Sequence, residues 1–365
     1  MTRVDRLAVF VVGTRAQLIK VAPVIVCCER RNQAALLVLT GQHKETMQDL
    51  ISEFGITVPQ RSAVKSSERA TVLGLMNWLP SAVFGLWREL RECRRSCGQL
   101  NVVVHGDTLS TVVGAIIGKF SGGCIFHLES GLSSGRLLDP FPEELTRRIV
   151  FRLTDVALCP SADNAEYMRA RYRLEAIDTG ENTIVDSVMM ASRGEGGLGG
   201  SPVEPYIVAS LHRFQNIFDA DRLEYLVRVI ESLSEEYRVH FVLHPATRKR
   251  LDSTGLMARL SGSKNVVLSP RLGYREFLSL AAKAACVLTD GGSNQEELAV
   301  LGVPTIVMRQ HTERLDGLGW NATMEADLGG DVVGYVLQGK IAELRRPSKV
   351  AADFGPSDLV AKKLG

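Results

Sequence analysis

The chain has 365 residues, 45% of them hydrophobic and 23% charged, with a formal net charge of +2. That length exceeds what one hydrophobic core holds and suits two domains of roughly 150 residues each, with an ordinary soluble globular composition. The near-neutral charge provides no broad basic field, which argues against a nucleic-acid partner and makes Arg248-Lys249-Arg250 a solvated helix face.

Seven cysteines at irregular spacings fit no zinc pattern and read as reduced thiols of a cytoplasmic protein, with no metal expected. The basic N-terminus runs straight into a strand pattern without a cleavage site, and no apolar stretch reaches about 18 residues. Neither a signal peptide nor a membrane span is expected.

Residues 6–13 form an apolar, β-branched run ending in glycine, as a buried parallel strand does. A helical pattern follows through Ile19, Ala22, Ile25 and Val26, so strand, turn and helix open an α/β unit. No G-x-G-x-x-G is present, and no dinucleotide cofactor is indicated. Arg15 and Lys20 lie near the carboxyl end of this strand, where open α/β sheets bind ligands; two exposed basic residues would look the same.

Ala35–Leu39 predicts the second strand, with Thr40-Gly41-Gln42-His43 at its end. Residues 81–98 read as an amphipathic helix, and Leu100–Val104 as a strand ending in His105-Gly106-Asp107-Thr108. Asp107 is also a good N-cap for a helix over Ser110–Phe120. Cys124-Ile125-Phe126 leads to His127-Leu128-Glu129, then a Gly/Ser-rich loop, then a helix opening with Glu143-Glu144 and carrying Arg147-Arg148. A Glu143/Arg147 pair at i,i+4 suits a well-capped surface helix. Three successive strands nevertheless place Gln42/His43, Asp107 and Glu129 on one edge of one sheet.

The first domain is expected to span residues 1–190, and the Gly/Ser/Pro-dense residues 191–205 to be a linker. A second domain spans 206–345, with 346–365 packing back on the first. Its strands end at Leu211-His212-Arg213-Phe214, at His244-Pro245, at Thr289-Asp290-Gly291-Gly292-Ser293 and at Arg309, the last running on to Thr312-Glu313-Arg314; Phe277 lies on a helix. A Gly-Gly-Ser turn at a helix N-terminus offers backbone N–H groups and a positive dipole end to an anion. Carboxylates in the first domain, with a histidine, a phosphate-type turn and arginines in the second, suit a nucleotide diphosphate-linked substrate bound in a cleft between them.

These blocks, Gly13-Thr14-Arg15 with Lys20, Thr40-Gly41-Gln42-His43, His105-Gly106-Asp107-Thr108, His127-Leu128-Glu129-Ser130-Gly131-Leu132 and Pro142-Glu143-Glu144, occur in order. They continue through His212-Arg213, Thr289-Asp290-Gly291-Gly292, Gln295-Glu296-Glu297 and Thr312-Glu313-Arg314. From about residue 8 to 320 the chain resembles the non-hydrolysing UDP-N-acetylglucosamine 2-epimerases. The resemblance implies an α/β, GT-B-like pair of Rossmann-like domains facing across a cleft, a homodimer, a UDP-sugar substrate and no cofactor. It implies that UDP leaves C1 as the C2 proton is removed, giving 2-acetamidoglucal, and re-adds after reprotonation on the other face.

By motif position the resemblance makes Asp107, Glu129 and Glu143 the catalytic acids and His212 the histidine near the diphosphate. It places Arg15 and Arg147 on the substrate, Phe277 on the uracil, Gly291-Gly292-Ser293 on phosphate and Glu297 on ribose. Lys20, Gln42, His43, His244 and Arg314 complete the expected substrate contacts. The chain departs from the family where Ser133-Ser134-Gly135 replaces the usual Arg-Thr-Gly, where the phosphate turn reads Asp-Gly-Gly-Ser-Asn, and where Phe214-Gln215 replaces Arg-Glu. Residues 180–183 also carry one extra position. A hydrolysing relative that releases N-acetylmannosamine, and an epimerase of a related UDP-HexNAc, share these motifs. A GT-B glycosyltransferase or nucleotide-sugar-binding protein is disfavoured by three acids in the first domain.

Overall fold

Unbroken apolar runs become buried parallel strands. Ala8–Val12, Leu36–Leu39, Val102–Val104 and Leu158–Cys159 are almost wholly removed from solvent. The computed structural model describes residues 4–40, 47–64, 72–133, 142–193, 204–312 and 314–365, with side chains from residue 79 in the helix that begins at 72. The chain forms two compact units, Met1–Met190 with Ala351–Gly365, and Ala191–Val350.

Unit 1 alternates β1 (Val4–Val12), α1 (Arg15–Arg30), β2 (Ala35–Leu39), α2 (Gln48–Glu53), β3 (Gln60–Ser62), α3 (Val72–Ser96) and β4 (Cys97–His105). It continues through α4 (Leu109–Phe120), β5 (Cys124–Leu128), α5 (Glu143–Leu153), β6 (Val156–Cys159), α6 (Ala162–Tyr172), β7 (Glu175–Asp178) and α7 (Ile184–Ser192). The described strands form one parallel sheet in the order β3-β2-β1-β4-β5-β6-β7. Strand order reverses between β1 and β4, the switch point where α/β sheets open a crevice at their carboxyl ends.

Unit 2 runs β8 (Tyr206–Ser210), α8 (Phe214–Ile217), α9 (Ala220–Leu233), β9 (Arg238–Leu243), α10 (Pro245–Thr254), α11 (Leu256–Gly262), β10 (Val266–Pro270) and α12 (Tyr274–Ala282). Then come β11 (Cys286–Thr289), α13 (Gly292–Leu301), β12 (Thr305–Val307), β13 (Ala322–Met324) and α14 (Val332–Leu337). Its sheet, β10-β9-β8-β11-β12-β13, has the same wind and puts its switch point between β8 and β11.

The last helix, α15 (Pro356–Leu364), returns to unit 1. Val360, Ala361 and Leu364 are buried there, and the Asp186 carboxylate accepts from Gly355 N and Ser357 N at 2.9 and 2.8 Å. The expected C-terminal segment therefore divides: Arg346 N–H donates to Gly302 O and Lys349 N–H to Val300 O, which keeps residues 346–350 with unit 2. Of the expected linker, Ala191 and Ser192 end α7, and 194–203 lie outside the described residues. The helix expected over 81–98 starts earlier, at Val72, and stops at Ser96, because Cys97 already pairs with Val4 in the sheet.

No described helix is long and apolar enough to cross a membrane, and no described group of three or more His, Cys, Asp and Glu is arranged to hold a metal. Cys27, Cys28, Cys159 and Cys286 are buried thiols, each pushed up to about 12 chiefly by loss of solvent.

Candidate active site

The turns at the switch point of unit 1 are tied together by one amide. Gln17, 2% exposed, accepts from Gly13 N at 2.9 Å, Thr14 N at 3.1 Å and Ser110 Oγ at 3.1 Å. Its NH2 donates to His105 O at 2.8 Å and reaches Thr108 Oγ1 and Thr111 Oγ1 at 2.9 Å each. A Cβ on Gly13 would stand 2.2 Å from Ser110 Oγ, so only glycine lets the turns approach this closely. Thr108 caps α4, its side chain accepting from Thr111 N. Asp107 is therefore not the N-cap, which leaves its carboxylate for other work.

That carboxylate meets Arg147, whose Nη2 lies 2.5 Å from Asp107 Oδ2. The expected Glu143/Arg147 pair is displaced by one residue. Arg147 also faces Glu144 at 3.7 Å, and Glu144 takes Arg148 at 3.0 Å as its i,i+4 partner, because Glu144 is the acid on the buried side of α5. Glu143 Oε2 is buried and has no hydrogen-bond partner among the described residues. Ser133 Oγ donates to Glu144 Oε1 at 2.6 Å.

Glu129 follows β5 immediately, and its φ of +60° is the left-handed region, which costs a non-glycine residue about 1–3 kcal/mol and gathers at functional sites. The turn is held by Gly131, at φ +86°, whose carbonyl accepts from Asn164 Nδ2 at 3.1 Å. Glu129 Oε2 pairs with the Lys20 ammonium and accepts from Asn182 Nδ2 at 2.9 Å, with His105 Nε2 at 3.2 Å. Lys20 and Glu129 side chains are 3% and 5% exposed, so Lys20 is no surface cation. Arg15 Nη1 meets both Asp49 oxygens, at 2.6 and 2.7 Å. Gln42 and His43 lie outside the described residues.

His127, in β5, is fully buried, with Nε2 2.8 Å from Gly106 O and Nδ1 3.0 Å from Ser130 Oγ. A carbonyl only accepts, so Nε2 carries the proton. Burial pushes its pKa down to about 4 and keeps the ring neutral.

In unit 2, α13 begins at Gly292, and no side chain caps it. Gly291 and Gly292 meet His212 and Arg314: a Cβ on each would lie 3.0 Å from His212 Cε1 and 2.8 Å from Arg314 Nε. Ser293 is in the first turn. Arg314 forms an ion pair with Glu296, whereas Glu297, on the same helix, is 2% exposed. His212 follows β8, and its ring lies tilted with its centroid 5.4 Å from that of His244, the N-cap of α10, whose Nδ1 accepts from Ala246 N. Phe277 is half-buried on α12. Glu313 is outside the described residues.

Comparison with known proteins decides the family. The sequence model of UDP-N-acetylglucosamine 2-epimerase matches residues 27–331, most of the chain. The chain belongs to the UDP-N-acetylglucosamine 2-epimerase family. These are enzymes of the isomerase class. A Methanocaldococcus jannaschii protein named UDP-N-acetylglucosamine 2-epimerase is 30% identical over 322 residues, 83% of this chain and 84% of the relative. A Pseudomonas aeruginosa UDP-2,3-diacetamido-2,3-dideoxy-D-glucuronate 2-epimerase is 26% identical, covering 88% of this chain and 89% of the relative. The crystal structure of the M. jannaschii UDP-GlcNAc 2-epimerase in complex with UDP-GlcNAc and UDP aligns with a TM-score of 0.77 at 25% identity, over 98% of this chain and 99% of that one.

Within this epimerase-family chain, several side chains that hold expected site residues or their turns in place are ones to which sequence reasoning gives no role. Gln17, His105 and Asn182 do this in unit 1, and Asp290 and Asn216 in unit 2. Their only signal in the sequence is position: each lies within a few residues of a strand end or of a motif that bears an expected site residue.

Proposed function

We propose that the chain interconverts UDP-N-acetylglucosamine and UDP-N-acetylmannosamine without hydrolysis. One observation carries the reading: the carboxylates of Asp107 and Glu129 follow adjacent strands of one sheet edge, each held by its own cation, Arg147 or Lys20. Chemistry at C2 of a sugar needs acid/base groups that act on two faces, and separately held carboxylates meet that need. Asp107, Glu129 and Glu143 divide the proton transfers, with Arg15 and Arg147 on the substrate. His212, Arg314 and the uncapped α13 N-terminus at Gly291, Gly292 and Ser293 receive the departing diphosphate. Phe277 carries the uracil and Glu297 the ribose, and the working enzyme is a cytoplasmic homodimer.

As the C2 proton leaves, the C1–O bond breaks, UDP departs with the bonding pair, and 2-acetamidoglucal remains. Delivery of a proton to the opposite face of C2 and return of UDP to C1 complete the epimerisation. A second reading, an epimerase of a related UDP-HexNAc, draws on Ser133. It stands where the family has arginine, its hydroxyl is turned to Glu144, and a P. aeruginosa relative bears the name of a uronate epimerase.

Glu129→Gln tests the reading, with Asp107→Asn as a companion. Losing the Glu129 charge breaks the buried pair with Lys20 and costs about 3–5 kcal/mol of stability, whereas Arg147 keeps Glu144 when Asp107 is neutralised. Turnover should fall about 10²–10⁴-fold in Asp107→Asn with UDP binding retained by calorimetry. Unchanged turnover in both folded variants would sink it.

A further inference from the structure

The interior of unit 2 holds polar side chains that the proposed chemistry does not use. Asp290 is 0% exposed, Glu325 3% and Asn216 5%, burial that is costly without full pairing. They are paired in sequence, and the sequence ends on His212. From this we infer that Asp290, backed by Asn216, Arg222 and Glu325, is a positioning residue. It orients the His212 ring with Nδ1–H toward its own carboxylate and Nε2 turned away, toward the diphosphate. The inference rests on the role proposed for His212.

The Asp290 carboxylate grips the turn after β8 by its backbone: His212 N lies 2.9 and 3.0 Å from Oδ1 and Oδ2, and Arg213 N is 3.0 Å from Oδ2. The same Oδ1 stands 3.3 Å from His212 Nδ1. A carboxylate only accepts, so this approach favours the tautomer with hydrogen on Nδ1. That leaves Nε2 as the nitrogen on the outer side of a ring 37% exposed. A buried acid behind Nδ1 selects the tautomer and fixes which ring nitrogen faces outward.

Asp290 is in turn oriented. Asn216 Nδ2 donates to Asp290 Oδ2 at 2.8 Å and to Met308 O at 2.9 Å, and Asn216 Oδ1 accepts from Arg222 Nε at 3.0 Å. Both partners of the amide nitrogen are pure acceptors and the partner of the oxygen is a pure donor, so the amide cannot flip. Arg222 Nη1 reaches Glu325 Oε1 at 2.6 Å, and Nη2 pairs with Oε2. Burial opposes the Arg222 charge, but Glu325 overrides it and leaves its pKa above the ordinary guanidinium value. The ring lies close against Gly291, where a Cβ would stand 3.0 Å from His212 Cε1 and crowd it.

A scaffold role would account for the backbone bonds of Asp290 but not for its contact with the ring nitrogen, and two readouts separate the roles. The first is the tautomer of His212 in the unmodified enzyme. It is read from two-bond 15N–1H spectra of the seven histidines, with the His212 signal assigned by its loss in His212→Ala. A neutral ring protonated on Nδ1 is expected; protonation on Nε2 would overturn the inference. The second is kinetic. Asp290→Asn, and Asn216→Ala should the first not fold, are expected to lower kcat by about 10–100-fold with little change in UDP affinity. Added to His212→Ala, either should cause no further loss; an additive loss would mean that Asp290 acts elsewhere and would also overturn it. Full turnover by His212→Ala would remove the proposed role of His212, while the tautomer would still decide the geometry.

Discussion

Glu129 is the residue at which local preference and final conformation part company. Nothing in His-Leu-Glu-Ser-Gly-Leu announces a left-handed glutamate, and the partners of its carboxylate are distant: Lys20 and Asn182 lie 109 and 53 positions away in the chain. The same holds for Gln17. Replacing it by leucine would leave the buried Gly13 N–H without its partner, at about 1–3 kcal/mol, while His105 O would keep Thr111 Oγ1. Gln17→Leu should therefore lower the urea midpoint and depress turnover, since the turn it fixes carries Asp107; a variant as stable and active as the parent would contradict this. His127 makes a pH prediction. Its pKa is about 4 in the folded protein and near 6.5 when unfolded, so the unfolded chain binds the extra proton between those values. The stability this group confers is complete above pH 6.5 and falls as pH drops toward 4, by about 3 kcal/mol in total. His127→Gln cannot take that proton, and its stability should decline less steeply over the same window.

At the scale of elements, strands were the most legible part, for a physical reason. A strand covered on both faces is apolar at every position, and Ala8–Val12 and Val102–Val104 show it without ambiguity. Ends of helices were less so. Asp107 and Thr108 are both good caps, and only the backbone decides that Thr108 takes α4. The start of α3 and the point at which the C-terminal segment leaves unit 2 were also not fixed by pattern, since each depends on what packs against it. Asp186, on α7, caps α15 from across the unit, a bond between residues 169 and 171 positions apart. Asp186→Ala should cost about 1–2 kcal/mol, seen as an earlier urea transition, and faster amide exchange in α15 would locate the loss. Exchange unchanged in that helix would refute the cap.

Across the whole molecule, the two units repeat one plan: order 3-2-1-4-5-6, extended by a seventh strand in unit 1, with motif residues beyond the strands that flank the reversal. Gly13, Thr14 and Asp107 stand there in unit 1, and His212 with Gly291 in unit 2. That pattern was readable because turns at strand ends keep their polar residues in an otherwise apolar stretch. Which charge meets which was not, because ion pairs such as Lys20–Glu129 and Arg147–Asp107 join segments that only the folded sheet brings together. The central claim is proton exchange at C2 coupled to reversible loss of UDP, and incubation of the enzyme with UDP-GlcNAc in D2O, followed by proton NMR, tests it directly. Deuterium at C2 together with a UDP-ManNAc fraction at equilibrium is the predicted result. Free ManNAc with UDP would instead establish a hydrolysing enzyme, and no exchange with UDP still bound would contradict the account of this substrate altogether.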